Sequence, residues 1–331
     1  MNVAVVILNW NGKKLLEQFL PSVVKYSEEA TIYIADNAST DDSVFYVESE
    51  FPSVKTIQNS TNGGYAKGYN DALKNLSEDI FVLLNNDVEV TKNWLSSIIL
   101  AFKKDLNLVA AQPKILDFKN KNKFEYAGAA GGFLDQFGYP FCRGRIFDSI
   151  EKDENQYNDE VNIFWATGAC LFIKKEAFNN LGGFDEDFFA HQEEIDLCWR
   201  LHSAGGKIKY FGNSTVFHVG GATLSAVDSK KTFYNFRNTL LMLFKNVKGF
   251  KVFGLIFTRL ALDGLAGVQF LFQGKWKHTL VIIKAHFSFY GLIPKFLAKR
   301  KKNASDLKYY NTKSIVLDYY LRKIRIFKQP N

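Results

Sequence analysis

Five polar clusters interrupt an apolar pattern in the first 220 residues, and each falls where a buried strand is expected to end. They are Asn9 to Asn11, Asp36-Asn37, Asn62 to Gly64, Asn85 to Asp87, and His218. The sharpest is LLNNDVEV (Leu83 to Val90), where the apolar stretch Ile80 to Leu84 stops on two asparagines and an aspartate. One such cluster is an ordinary turn, because Asn and Asp are common turn formers. A succession of them constrains the fold far more. Strand ends on one edge of a parallel sheet converge, and ligands of open α/β sheets sit just beyond those ends. A rim of carboxylates, amides and one imidazole suits a nucleotide with a divalent cation, a hard ion that takes oxygen ligands.

The intervals between the clusters predict strand and helix in alternation. Val3 to Leu8, Thr31 to Ala35, Val54 to Ile57, Ile80 to Leu84 and Leu108 to Ala111 are short apolar runs of buried-strand type. Between them, apolar residues recur at helical spacing, as in Leu15, Leu16, Phe19, Leu20 and Val23, or in Trp94, Leu95, Ile98, Ile99 and Phe102. This is the pattern of an α/β fold with a mostly parallel sheet and helices on both faces. Residues 117–160 break it and predict an irregular, partly mobile insertion. Strand character returns over Val161 to Ile173. A short helix is expected over Lys174 to Leu181, a stronger one over Gln192 to Ala204, and two short strands near Ile208 to Phe211 and Thr215 to Val219.

The charge of the chain is split along its length. Residues 1–230 hold 22 Lys and Arg against 31 Asp and Glu, whereas residues 231–331 hold 20 against 3. We therefore expect two regions. Residues 1–230 form an α/β domain, with a nucleotide half to about 112 and an acceptor half from about 113, and 231–331 form a basic, aromatic-rich helical tail. A basic segment favours an anionic surface. Lys251, Arg259, Asp263, Lys275, Lys277 and Lys284 interrupt the tail's apolar runs, so a simple membrane-spanning helix is not expected, and helices lying in the headgroup region are. Nucleic acid is not the expected partner, because the tail's aromatics track apolar helices instead of interleaving in a polar groove. Three isolated cysteines indicate neither a disulfide framework nor a zinc site and fit a reducing compartment. The first residues show no basic n-region, so no signal peptide is read there.

Two phosphate-binding motifs are absent. NWNG (Asn9 to Gly12) follows the first strand in place of Gly-x-Gly-x-x-Gly, and Tyr69-Asn70 stand where a P-loop would place Lys-Ser/Thr after Gly68. VVILNWNG (Val5–Gly12), ADNASTDDS (Ala35–Ser43), NGGYAKGYN (Asn62–Asn70), LLNNDVEV, TGACLFIKKEAF (Thr167–Phe178), GGFDEDFFAHQEEIDLCWRL (Gly182–Leu201), FHVGG (Phe217–Gly221) and YNFRN (Tyr234–Asn238) occur in order. Together they resemble the family 2 inverting glycosyltransferases, in their rhamnosyltransferase-like branch, over about residues 2–245. The resemblance implies a GT-A fold, a nucleotide-sugar donor and Mg²⁺ or Mn²⁺.

Carried over residue by residue, the resemblance makes Asp36 the contact to the donor base, with Asn9 and Asn11 in the loop beneath the nucleotide. Asn62, Gly63 and Gly64 precede a helix N-terminus, where backbone N–H groups favour anions; Asn70 is expected to face the same pocket. Asn85-Asn86-Asp87 occupies the family's Asp-x-Asp position with an asparagine first. Asp87 is then the metal ligand, with Asn85 beside the nucleotide, and His218 can complete the coordination. Glu193, Glu194 and Asp196 open a helix, and adjacent acids there cannot share a face. Glu194 aligns with the general base, with Asp196 as the second candidate. Trp165, Thr167 and Gly168 are expected to shape the sugar pocket, and His191, with Phe188 and Phe189, to border the acceptor. Ile195, Trp199 and Leu201 read as core, and Arg200 can pair with Asp196. The implied partners are a UDP- or dTDP-linked sugar, a glycan or polyprenyl-linked glycan in polysaccharide synthesis, and an anionic membrane on its cytoplasmic face. A nucleotidyltransferase, which should carry a Gly-rich basic loop after the first strand, and a non-catalytic relative, which should lack the acids, are the competing readings.

Overall fold

The polar tips come together because of strand register. In the computed structural model, which describes residues 1–220 and 229–327, β1 (Val3–Asn9) pairs in parallel with both β2 (Thr31–Asp36) and β4 (Ile80–Asn85). The register sets Asn9 opposite Asp36 and Leu8 opposite Asn85. Parallel strands need crossover helices. These are α1 (Lys13–Tyr26), α2 (Ser43–Glu50) leading to β3 (Lys55–Gln58), and α3 (Gly64–Leu73). The strands are continuous apolar runs because both faces are covered. Val3, Val5 and Ile7 pack with Leu16 and Leu20 of α1 on one side, and Ala4 and Val6 pack with Tyr69 and Leu73 of α3 on the other.

Beyond β4 the chain makes β5 (Val88–Val90), α4 (Ser96–Lys104) and β6 (Leu108–Asp117). Residues 117–160 are irregular only in part. They hold a small antiparallel sheet of β7 (Gly132–Leu134), β8 (Pro140–Cys142), β9 (Arg145–Ile146) and β10 (Ser149–Ile150). Strands of two and three residues leave too short a period to detect in sequence. After β11 (Glu160–Asn162), β12 (Cys170–Lys174) runs antiparallel between β4 and β6, followed by α5 (Lys175–Asn180) and α6 (Glu193–Ser203). The two strands expected near 208 and 215 are one, β13 (Lys207–His218), with a register shift between Phe211 and Thr215. The main sheet runs β11-β13-β6-β12-β4-β1-β2-β3, with β5 pairing β13. That last pairing sets His218 opposite Val88, one residue past Asp87.

The basic C-terminal region is docked on the part of the domain that follows residue 113. Helices α7 (Ser229–Asn246), α8 (Lys251–Phe272) and α9 (Trp276–Asn303) follow, then α10 (Ile315–Tyr320). Leu240, Leu241, Leu243 and Phe244 of α7 share a core with Ile195, Leu197 and Trp199 of α6. Ile315 and Tyr319 close over Phe141 and Ile146 of the small sheet. Contrary to the expectation from their charged residues, α8 and α9 are each long and apolar enough to cross a bilayer, by length and composition alone. The charges at the middle of α8 point into the protein and leave its outer face apolar, whereas Lys284 of α9 is exposed. Arg259 donates to Asp263 at 2.7 Å, and both are buried.

The same burial removes Asp196 from the candidate bases. Its carboxylate is fully enclosed and accepts from Arg200 at 2.8 Å, Lys245 at 2.8 Å and Asn246 at 2.9 Å. Burial alone would raise its pKa, yet Lys245 and Arg200 hold it down at about 2. A carboxyl depressed from 3.8 stabilises the fold fully above that value, and the stabilisation is lost as pH falls through about 2. Lys245 also neutralises Asp185 at 2.8 Å. Removing one partner of a buried ion pair costs about 3–5 kcal/mol. Lys245→Met is therefore expected to lower unfolding free energy by that amount in urea titrations at pH 7, with the loss shrinking towards pH 2.

Candidate active site

A continuous hydrogen-bonded belt crosses the carboxyl ends of β2, β1, β4 and β13. Asn9 donates to Asp36 at 3.1 Å and to Ser43 at 2.9 Å, and its carbonyl accepts from Asn86 at 3.1 Å. Asn85 Nδ2 lies 3.3 Å from His218 Nε2, which lies 3.1 Å from Asp87 Oδ1. Gly12 permits this belt, since a Cβ there would sit 2.3 Å from Asn9 Oδ1 and 2.4 Å from Asn86 Nδ2. Asn11, at φ 50, turns its carbonyl to the backbone N–H of Thr40 at 2.7 Å and so ties the β1 loop to the β2 loop.

Asp36 sits at the belt's end with its acceptor capacity filled. Oδ1 takes Asn9 and the Ser39 hydroxyl, at 3.1 and 2.5 Å; Oδ2 takes the Ser39 N–H and Gln58 Nε2, both at 2.8 Å. A carboxylate has about four acceptor sites. A base could reach Asp36 only by displacing one of these donors, and exposed Gln58 is the one free to leave. The entry to α3 is also engaged. Gly64 N–H donates to Asn62 Oδ1 at 3.0 Å and Tyr65 N–H to the Phe189 carbonyl at 3.1 Å, so two first-turn N–H groups expected to face an anion are satisfied within the protein. Gly64 has φ 77, and a Cβ there would come within 2.8 Å of that Phe189 carbonyl.

Three other expectations change. Asn70 does not face the nucleotide side; its amide clamps the backbone of Phe184 in both directions, at 2.9 Å each. Trp165 is buried, stacked over Gly132 and donating to the Phe133 carbonyl at 2.9 Å. Thr167 is buried too, its hydroxyl accepting from Ala169 N–H. Aromatic and hydroxyl side chains next to a strand look alike in sequence whether they face core or cleft. Gly168 remains at the rim, its carbonyl accepting from Tyr65 at 2.8 Å.

Asp87 and His218 make a two-donor pair fit for a divalent ion. Donors at right angles, each about 2.1 Å from one ion, lie about 3 Å apart, the spacing found here. Among the described residues no group of three or more His, Cys, Asp or Glu converges on a metal position. Mg²⁺-type sites commonly take one or two protein ligands and leave the rest to phosphate and water. Burial would lower the His218 pKa, but Asp87 and Glu125, the latter 3.5 Å from Nδ1, outweigh it and raise it to about 10. Glu125 carries no local motif and was not among the expected residues. Gly221, the last residue of the FHVGG motif, lies outside the described residues.

Glu193 and Glu194 form the second half of the site, at the start of α6. Glu193 is buried and Glu194 half-buried, and each has one carboxylate oxygen without a partner. Burial pushes both upward. Glu193, further raised by Glu194, goes well above the ordinary range, and Glu194, restrained by backbone N–H groups at the helix start, reaches about 7. His191 Nε2 and Gln192 Oε1 are also unpartnered. Burial, then Lys231, lowers His191 to about 4, so it is neutral at pH 7. Asp36's neighbour Asn37 donates to the Gly64 carbonyl at 3.0 Å, and Tyr65 N–H reaches Phe189, which joins the belt to this acidic loop.

The loop is strained and braced from outside. Phe189, His191 and Gln192 all have positive φ, at 64, 67 and 75. Buried Asn238 of α7 brings its amide within 3.0 Å of the carbonyls of Phe188, Ala190 and His191, and Arg237 donates to those of Asp187 and Phe188. Phe188 is core, while exposed Phe189 stacks on Tyr234 at 5.5 Å. The motif YNFRN thus has a visible task that its sequence did not disclose.

A parallel sheet whose strand tips carry an Asp–His pair in a polar belt, joined at its Asp36 end to a strained acidic loop, is matched by comparison. The profile described as Glycosyl transferase family 2 covers residues 4–182. The chain belongs to that family. It is 27% identical over 233 residues to the N-acetylglucosaminyl-diphospho-decaprenol L-rhamnosyltransferase of Mycobacterium tuberculosis, covering 65% of this chain and 75% of the relative. By structure it resembles the mannosyltransferase PcManGT from Pyrobaculum calidifontis, solved with GDP-Man and Mn²⁺, at TM-score 0.54, 13% identity and 87% coverage of each chain. It also resembles GalNAc-T7 with UDP, GalNAc and Mn²⁺, at TM-score 0.54 and 20% identity, covering 66% of this chain and 43% of that one. At such identities the solved structures establish the GT-A fold. The family profile stops before α6, so the acidic loop is read from this chain's own geometry.

Asn238→Ala removes the two N–H donors that the carbonyls of Phe188, Ala190 and His191 share in a strained loop. The loss of buried hydrogen bonds costs about 1–3 kcal/mol. Turnover is expected to fall roughly 10–100-fold, with the affinity for nucleoside diphosphate, measured by calorimetry, nearly unchanged.

Proposed function

We propose that the chain is a metal-dependent inverting glycosyltransferase. It moves a sugar from a UDP- or dTDP-linked donor to a hydroxyl of a glycan or polyprenyl-linked glycan in cell-surface polysaccharide synthesis. The observation that carries this reading is the half-buried Glu194. Its carboxylate keeps an unpartnered oxygen and a pKa near 7, in a loop joined through Tyr65 and Asn37 to the Asp36 end of the polar belt whose other end carries Asp87 and His218. The named rhamnosyltransferase relative supports a lipid-linked acceptor, and the neighbours solved with Mn²⁺ support a divalent ion.

The reaction is one in-line displacement. The acceptor oxygen forms a bond to the anomeric carbon while the bond from that carbon to the diphosphate oxygen breaks. Glu194 takes the acceptor's proton, a general-base task suited to a pKa near the working pH. Glu193, more deeply buried and pushed upward in pKa by burial and by Glu194, resists placing a second negative charge at the same spot. Neutral His191 offers an unpartnered Nε2 for hydrogen bonding to the acceptor without adding charge. Asp87 and His218 would hold Mg²⁺ or Mn²⁺, which when bound neutralises charge on the departing nucleoside diphosphate. Asn9, Asn11 and Asp36 fix the floor on which the nucleoside lies, with Gln58 exchanging for the base. Tyr65 and Gly168 border the sugar.

Two experiments test this. Glu194→Gln should cut transfer by about 10²–10⁴-fold while nucleoside diphosphate binding persists. Because the base must be ionised, kcat/KM of the native chain should rise with pH through about 7 and level off above it. Full activity in the variant, or a rate that falls through that range, removes Glu194 from the role. For the metal, chelation should abolish transfer, and Mn²⁺ should restore it in the native chain. Asp87→Asn should need far more Mn²⁺, and unchanged Mn²⁺ dependence in this variant would dismiss the Asp87 site.

A further inference from the structure

Helices α8 and α9 each carry two apolar stripes, and only one of each is covered. On α8, Val252, Leu255 and Ile256 face the protein, whereas Phe257, Leu265 and Phe272 are exposed at 76%, 66% and 90%. On α9, Ile282, Ala285, Phe289 and Phe296 are buried, while Trp276, Leu280 and Phe287 are exposed. The exposed residues are spaced 4, 7 or 8 apart, which keeps them on one face of each helix. A protein stays in water with isolated apolar residues at its surface, but a sustained stripe of large ones marks an interaction face.

We propose that these outward faces of α8 and α9 are a docking surface for an anionic phospholipid leaflet. Charge selects the occupant. On α8, α9 and the turn between them the side chains of Lys275, Lys277 and Lys284 are exposed while the one acid of the two helices, Asp263, is buried, so two copies of the face would repel, whereas an anionic leaflet attracts it. Trp276 sits between Lys275 and Lys277 at the turn joining the helices, all three exposed, an arrangement suited to the headgroup boundary.

The helices rest on the leaflet and do not cross it. At the middle of α8, buried Arg259 donates to Asp263 and to the Phe137 carbonyl at 3.2 Å and lies 3.7 Å over the Tyr139 ring, and His286 of α9 closes on Asp263 at 3.2 Å. Further along α9, Lys295 pairs with Asp187 at 2.6 Å, and Lys299 bridges Asp185 and Asp187. Both helices are therefore fastened to the catalytic domain. Beyond Asp263 only the last residues of α8 run free, about 14 Å at 1.5 Å per residue, against a bilayer core of about 30 Å. Since Asp185 and Asp187 lie in the segment leading to Glu193, docking would also fix the acidic loop relative to the lipid surface. The inference does not depend on which donor or base the site uses.

The test is flotation of the full chain with vesicles of phosphatidylcholine alone or mixed with phosphatidylglycerol. We expect binding to the mixed vesicles that weakens as salt rises, and at least a tenfold loss in the exposed-face variant Phe257→Ser, Phe272→Ser, Phe287→Ser. Equal binding by that variant, or no binding by the native chain, overturns the proposal. Sedimentation as a dimer through this face in the absence of lipid, with vesicles ignored, assigns it to a second copy and overturns it too. Resistance to alkaline carbonate extraction would mean a spanning hairpin and would overturn the one-leaflet geometry. Donor hydrolysis in detergent, unchanged in the variant, separates failure of docking from failure of the active site.

Discussion

The parallel register of β2, β1 and β4 is the constraint on which everything else in this molecule rests. It sets Asn9 against Asp36 and Leu8 against Asn85, so that three loops distant in sequence meet at one rim. A one-residue slip would reverse the faces of a strand and move every tip. The slip is forbidden because both faces are buried in separate apolar clusters, with Val5 on one side and Val6 on the other. Ordinary hydrophobic packing thereby places polar groups with an accuracy that their own short loops could not supply.

The acidic half of the site depends on a different interaction, supplied by the C-terminal region. Residues 185–196 contain Asp185, Glu186, Asp187, Glu193, Glu194 and Asp196 within one turn-and-helix segment. Cations from α7 and α9 neutralise three of them: Lys245 serves Asp185 and Asp196, Lys299 serves Asp185 and Asp187, and Lys295 adds to Asp187. Exposed Glu186 accepts from Asn70, whereas Glu193 and Glu194 are left without a cation at the helix start and are pushed upward in pKa by burial. The contrast separates structural acids from chemical ones more sharply than their spacing does, because a base that is paired at rest is a poor acceptor of protons.

Much of the sheet was legible because its strands announce themselves as apolar runs with polar ends. What was not legible falls into two kinds. Short strands such as Arg145–Ile146 are too brief to show a period, and β13 was read as two strands because Gly212, Asn213 and Ser214 lie at its bulge. The second kind is partner choice. Nothing local in Lys245 tells that it serves an aspartate 49 residues earlier, or in Glu125 that it faces His218, so the tail's lysines read as a solvated or membrane-facing surface. Several are instead internal. The same blindness assigned Trp165, Thr167 and Asn70 to the cleft, since a side chain's type fixes its chemistry but not the direction it points.

The asparagine at position 85 fits the charge balance of the Asp87 site. His218 stands between two carboxylates, Asp87 and Glu125, and is held as a cation by them. A divalent ion seated on Asp87 and neutral His218 would replace that proton and leave the pair of carboxylates fully compensated. An aspartate at 85 would bring a third negative charge against His218, where Asn85 now places an amide 3.3 Å from Nε2. Such a charge would bind the metal more tightly, but it would also repel the diphosphate that must complete the coordination, and buried like charges are costly unless paired. With a neutral amide there, phosphate oxygens would be the dominant partners of an ion held on Asp87 and His218, and metal and donor would be taken up together.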